Sequence, residues 1–185
     1  ITFAAISLIA PKVGQRKAMI IGSIGGIITN LSLIALWLLG DPTTMTRDPA
    51  NGTVYFGFFT IAYLALTILT AGCQGISGNI VIPMTADCAD YETYRSGKFI
   101  PGIMGTLFSL VDKLVSSLSA TVVGIAVSLI GLENLPTAET PYSAGMNWVV
   151  IILFCIVPMV AWVATLLAMK GYILTGDKMK EIQAV

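Results

Sequence analysis

Four apolar runs, each long enough to cross a lipid bilayer, constrain the fold of this chain more than any other feature. They cover residues 18–39, 54–83, 101–131 and 147–169. As a helix, about 20 apolar residues span a hydrocarbon core of about 30 Å with every backbone polar group paired inside the segment. The strands of a membrane barrel alternate over about ten residues, so these runs are too long and too uniformly apolar for strands. The sequence predicts an all-α polytopic membrane protein.

A shorter apolar stretch, residues 1–10, precedes Pro11 and would reach only about 15 Å as a helix. It lacks the basic start and small-residue cleavage site of a signal peptide. We interpret it as the end of a span that begins before Ile1. The chain is therefore expected to be the C-terminal piece of a longer protein.

The composition excludes several classes of function. The net charge is zero, so we expect no nucleic-acid partner. The chain has no histidine, so neither a Ser-His-Asp triad nor a Cys-His pair can form within it, and we expect no enzyme. Cys73, Cys88 and Cys155 lack metal-ligand spacing and are expected to be small packing residues, with no metal site.

Basic residues are distributed unevenly among the polar segments. Eight lie in the loops 11–17 and 84–100 and in the tail 170–185: Lys12, Arg16, Lys17, Arg95, Lys98, Lys170, Lys178 and Lys180. The loops on the other side of the predicted membrane hold Arg47 alone. The positive-inside rule then places the eight-residue side in the cytoplasm. We expect a multi-pass protein of the cell membrane with a cytoplasmic C-terminus.

Lys113 is close to the middle of the run 101–131, where a lysine in contact with lipid costs roughly 2.5–3.5 kcal/mol. It is expected to face a water-filled cavity or a carboxylate. Asp112 is also a candidate coupling residue, although it is a poor partner for Lys113 because neighbouring helical residues point in different directions. Ser109 and Thr106, at i−4 and i−7, share the face of Lys113 and suit a polyhydroxylated or anionic ligand. The alternative is a buried ion pair that only holds helices together.

Glycines recur at helical spacing in two of the runs. Gly22 and Gly26 form a G-x-x-x-G pair, which predicts close packing of two helices. Gly72, Gly75 and Gly78 precede Asn79, and this strip is expected either to pack or to line a cavity.

The stretch "TADCADYETYRSG", residues 85–97, concentrates charge between two apolar runs. Its motif A-D-x-x-D-Y, carried by Ala86, Asp87, Asp90 and Tyr91, and the lysine at position 113 resemble the glycoside-pentoside-hexuronide:cation symporter family. Tyr94 also fits the motif. The segment "PKVGQRK", residues 11–17, is similar to the basic loop between spans eight and nine of major facilitator proteins.

This resemblance implies a major facilitator fold, in which two six-helix bundles rock around a central cavity. The chain would be the C-terminal half of that fold, from the end of span 8 through spans 9–12. The resemblance implies a cation-coupled symporter of sugars or glycosides, with Lys113 facing the cavity. The coupling cation, Na⁺ or H⁺, would be bound mainly by the N-terminal bundle, and no other cofactor is expected.

The resemblance also implies a role for the acidic stretch as an inner gate. Asp87 and Asp90 would pair with basic residues of the N-terminal bundle, with Tyr91 and Tyr94 at the interface and Arg95 beside them. The alternative is an ordinary solvated loop.

Two other functions remain open at this point. Gly78 and Phe108 stand where melibiose-type transporters carry an aromatic residue and a glutamine, so a lysolipid is an alternative solute. A non-transporting membrane module for anchoring or partner binding is the alternative of another class.

Overall fold

The computed structural model describes residues 14–40, 46–47, 54–132, 135–137, 140 and 143–183. Its helices are α1 (Gln15–Leu39), α2 (Phe58–Ser96), α3 (Pro101–Leu129), α4 (Ala144–Val150), a π-helical segment (Ile151–Ile156), α5 (Val157–Lys170) and α6 (Gly176–Gln183). Two short strands, β1 (Thr46–Arg47) and β2 (Val54–Tyr55), pair antiparallel between α1 and α2. The predicted partial span 1–10 lies outside the described residues.

Among the described residues, four helical runs are long and apolar enough to cross a membrane: α1, α2, α3 and the continuous run Gly145–Lys170. This confirms the predicted class, an all-helical polytopic membrane protein. Apart from the C-terminal end of α2, their bounds differ from the prediction by a few residues, because α1 begins at Gln15, inside the predicted loop 11–17, and Val54 belongs to β2.

Helix α1 is central to the packed part of the molecule and lies against both α2 and α5. A buried cluster joins the three helices through Ala18, Met19, Ile80, Met84 and Met169. A Cβ atom built on Gly22 would lie 2.8 Å from Oγ of Ser77 on α2. The predicted close packing at Gly22 and Gly26 is confirmed, since each glycine meets a side chain of a neighbouring helix.

The predicted loop 84–100 is wrong as a description of backbone conformation, because α2 continues as far as Ser96. Residues 84–96 contain no glycine or proline that would end a helix. The helix stops at Gly97, whose φ of 69° is left-handed and strains any residue with a Cβ atom. At 39 residues, α2 is about 58 Å long, roughly twice the thickness of the hydrocarbon core. Its charged end therefore projects beyond the apolar part.

The predicted polar tail 170–185 is also more ordered than expected, because it contains α6. This helix folds back on the charged end of α2, where its apolar residues pack on Cys88 and Tyr91. Beside its charges, the segment carries the apolar residues Leu174, Met179 and Ile182, which are buried in this contact.

Helix α3 stands apart from the packed helices. Val127 is its one buried residue, and every residue from 105 to 125 is exposed. It contacts α2 and α4, and Ile130 just after its end touches Gly145. A helix with a lysine near its middle is thus exposed around its whole circumference.

Candidate functional site

Most of the polar and small residues of α3 between Gly102 and Gly124 form one stripe, and Leu110 lies at its edge. Each residue turns the helix by about 100°, so all residues of the stripe lie within about 60° of Lys113 around the helix axis. The stripe comprises Gly102, Thr106, Ser109, Lys113, Ser116, Ser117, Ala120 and Gly124. The opposite side carries apolar residues, among them Phe108, Val111, Val115 and Leu118. Helix α3 is amphipathic, although its composition is mostly apolar.

The hydroxyl groups of this stripe fall into two kinds. Thr106 donates to the carbonyl of Gly102 at 2.8 Å, and Ser117 donates to that of Leu114 at 2.8 Å. The hydroxyls of Ser109 and Ser116 donate to no group among the described residues. Two hydroxyls therefore flank Lys113, one turn away on either side, and can bind a solute.

Lys113 forms no ion pair with any residue that the structure describes, and Asp112 does not approach it within salt-bridge distance. The helix places Thr106, Ser109 and Lys113 on one face, the arrangement on which the solute hypothesis depends. Sequence analysis missed Ser116. Its spacing of i+3 from Lys113 was the signal that could have found it.

The charged end of α2 contacts two other helices. The side-chain amide of Gln15, the first residue of α1, hydrogen-bonds to the carboxylate of Asp87. Nearby, Nε of Arg16 donates to the carbonyl of Met169 at 3.1 Å, which joins α1 to the end of α5. The first turn of α1 therefore anchors both neighbouring helices.

Tyr172, just after α5, lies near Asp87 and Cys88. Burial, together with the nearby Asp87 carboxylate and Cys88 thiol, raises the pKa of Tyr172 from 10.0 to about 12. Its hydroxyl is buried and has no hydrogen-bond partner among the described residues. Neither Gln15 nor Tyr172 belongs to the acidic motif, so the sequence held no signal for their part in the site.

The predicted gate residues differ in their surroundings. Asp87, Asp90 and Tyr91 are half-buried, whereas Tyr94 is 45% exposed and Arg95 is also exposed. Tyr91 packs against α6, and Lys178 of α6 lies near both tyrosines. The structure thus connects the motif to α1 and to α6 of its own chain.

The glycine strip of α2 is divided between two roles. Ser77 faces α1 and Cys73 packs against Gly25, whereas a Cβ atom on Gly78 would meet nothing within 4 Å. The amide of Asn79 donates to the carbonyl of Gly75 at 2.7 Å. One side of the strip therefore packs and the other is open.

The tight position of Cys73 and the burial of Cys155 confirm packing roles for these two cysteines.

Aromatic residues lie where α1 ends and α2 begins, at the end of α2 opposite to its charged end. Trp37 meets Phe59 edge to face with ring centroids 5.2 Å apart, and Tyr63 lies 5.8 Å away. A cavity of 520 Å³ beside Phe59 is lined mainly by apolar residues of α1 and α2. Aromatic residues of this kind are enriched where membrane meets water.

A comparison with known protein families decides between the classes of function. The profile of the family described as MFS/sugar transport protein matches residues 1–176. The chain belongs to this family. No curated protein and no solved structure matches it.

Membership in the major facilitator superfamily confirms the predicted fold class and supports a transport function in the membrane. It disfavours an enzyme and the anchoring module. The stripe of α3 and the charged end of α2 are therefore parts of a major facilitator transporter, the first exposed along its length and the second held by α1 and α6.

Proposed function

We propose that this major facilitator chain forms part of a cation-coupled symporter of sugars or glycosides, of the glycoside-pentoside-hexuronide type. The observation that carries the proposal is Lys113 on α3, which pairs with none of the residues that the structure describes and is flanked by the hydroxyls of Ser109 and Ser116, which donate to none of them either. An ionisable residue in the middle of a membrane span marks a solute or ion path, because lipid would not solvate it.

The stripe suits a solute with many hydroxyl groups. Ser109 and Ser116 each offer a hydrogen-bond donor and acceptor, and Lys113 offers three donors. The ammonium group of Lys113 would also pair with carboxylates of an N-terminal bundle that binds the coupling Na⁺ or H⁺. Loss of that pairing when the cation leaves would link cation release to solute release.

The charged end of α2 would close the inner side of the cavity. Asp87 and Asp90 would accept ion pairs from basic residues of the N-terminal bundle, with Tyr94 and Arg95 exposed beside them. Exposed pairs contribute only about 0–1 kcal/mol each, so several must act together. Basic residues in the polar segments on this side support a cytoplasmic orientation.

Uptake by membrane vesicles that carry the complete protein tests the proposal. A panel of radiolabelled sugars and glycosides is offered under an imposed Na⁺ or H⁺ gradient. Lys113→Ala should abolish gradient-driven accumulation at unchanged expression. Lys98→Ala is the matched control, because this lysine is exposed beyond the end of α2 and should leave uptake intact. Accumulation by Lys113→Ala at the wild-type level would overturn the role of Lys113.

A lysolipid is the second candidate solute. The open side of Gly78 and the exposed ring of Phe108, 43% exposed, favour a wide and partly apolar path. A fluorescent lysolipid offered to the same vesicles separates the two. Gradient-driven transfer of the lysolipid with no accumulation of any sugar would replace the sugar proposal.

A further inference from the structure

Helix α6 packs on the charged end of α2 through a small apolar cluster. Leu174, Met179 and Ile182 are buried, with 6%, 7% and 6% of their surface exposed. Their neighbours are Cys88, Tyr91 and Tyr172. The contact is made by side chains of three separate segments and depends on the helical conformation of α6.

The outer side of α6 is polar. Nζ of Lys178 lies 2.9 Å from Oε2 of Glu181, and both side chains are exposed. Residues 171–175 connect α5 to α6 without a regular helix. A short amphipathic helix on such a connection docks by one face and can be released without unfolding α5.

This docking site coincides with the acidic motif. In the sequence, Cys88 and Tyr91 flank Asp90, and both pack with Tyr172 on the apolar cluster of α6. Tyr172 also lies near Asp87. The charged end of α2 is therefore contacted by two elements, the first turn of α1 and α6 with its connection. Without α6, this projecting end would lose one of its two lateral supports.

We propose that α6 is a strap that fixes the charged end of α2 to its own bundle and so positions Asp87 and Tyr91 for the inner gate. Met179 and Ile182 are its positioning residues. The inference rests on the proposed transport function. A gate closed by weak ion pairs needs its acidic residues in one arrangement, because each pair alone contributes little.

Alkylation of Cys88 measures docking without reference to transport. Inside-out vesicles carrying the complete protein are treated with a membrane-impermeant maleimide, and peptide mass spectrometry resolves Cys88 from Cys73 and Cys155. Ile182→Glu should raise the alkylation rate of Cys88 by about tenfold, because a buried carboxylate opposes docking. Met179→Glu should do the same. Glu181→Gln, on the outer side of α6, should leave the alkylation rate of Cys88 unchanged. The conservative variant Ile182→Leu should keep that rate at the wild-type level.

Solute efflux from the same vesicles measures the gate. Vesicles that carry Ile182→Glu or Met179→Glu should lose preloaded solute several-fold faster than wild-type vesicles and should accumulate less of it. The KM for uptake should stay close to that of the wild type. An unchanged alkylation rate in both variants would overturn the docking. Faster alkylation with unchanged efflux and accumulation would overturn the gate role. A wild-type protein that transports no solute would overturn the proposed function and the gate role together, while the alkylation rates would still report docking.

Discussion

Gly26 of α1 and Trp162 of α5 pack in direct contact, with a Cβ atom on Gly26 calculated to lie 2.5 Å from the indole ring. Trp162 is buried, and the missing side chain of Gly26 is what admits its ring. Gly22, one turn away, admits Ser77 of α2. The two glycines of one G-x-x-x-G pair thus receive two different helices, which explains the central position of α1.

Substitution of Gly26 should destabilise this contact. We expect Gly26→Ala to cost about 1–3 kcal/mol, because the indole ring must shift to accept the methyl group. Gly78→Ala is the matched control, since its Cβ atom would meet nothing within 4 Å. Thermal unfolding in detergent, followed by tryptophan fluorescence, should show a lower Tm for Gly26→Ala alone. Equal Tm values for the two variants would contradict the close packing.

The two kinds of hydroxyl on α3 should differ in their effect on transport. Ser109→Ala and Ser116→Ala each remove a hydroxyl that donates to no group in the described part of the chain and can bind solute, which we expect to raise KM by up to about tenfold. Thr106→Val and Ser117→Ala remove hydroxyls that already donate to their own helix, so their effect should be smaller. Initial uptake rates over a range of solute concentrations measure this. Equal effects of all four substitutions would argue against direct solute binding.

Tyr172 should titrate at high pH. Its pKa is raised from 10.0 to about 12, so the folded state keeps the phenolic proton more tightly than the unfolded state does. The resulting stability is fully present below pH 10 and is lost as the pH rises to about 12. The phenolate absorbance of the wild type minus that of Tyr172→Phe, measured over a range of pH, gives the titration of Tyr172 alone. A difference that appears near pH 10 would show that Tyr172 is not buried beside Asp87.

Neutralising the acidic motif should weaken closure of the inner side. Asp87→Asn combined with Asp90→Asn removes two ion-pair acceptors, which should shift the ratio of inward-open to outward-open protein by up to about tenfold. The ratio is measured by solute binding in inside-out and right-side-out vesicles. Glu92→Gln, on the same helix end but outside the motif, is the control. An unchanged ratio in the double variant would leave the stretch without a gate function.

Much of the fold could be predicted from local patterns. The apolar runs predicted four membrane-spanning helices, and Gly22 with Gly26 predicted a packed face. The charge of the stretch 84–100, between two apolar runs, predicts a loop, whereas the structure has a helix as far as Ser96. Helix formation depends instead on the backbone, and the first residue there that breaks a helix is Gly97. Charge determined where the apolar part of α2 ends, and glycine determined where the helix ends.

The candidate site was only partly accessible to sequence analysis. Thr106, Ser109 and Lys113 share a helix face by spacing alone, and Ser116 follows from the same rule. The contacts of Asp87 with Gln15 and of Tyr91 with α6 join residues far apart in the chain, and no local pattern encodes them.

By itself, the sequence determined that the chain is helical and membrane-spanning, because apolar length and the need to pair backbone groups in lipid leave little choice. It also placed Lys113 within a span and the acidic motif at the edge of one. Only the tertiary structure decided that α1 is central, that α3 presents its polar stripe uncovered and that α6 returns to cover Tyr91. Those outcomes depend on which surfaces fit together, and fit is a property of packed side chains rather than of spacing along the chain.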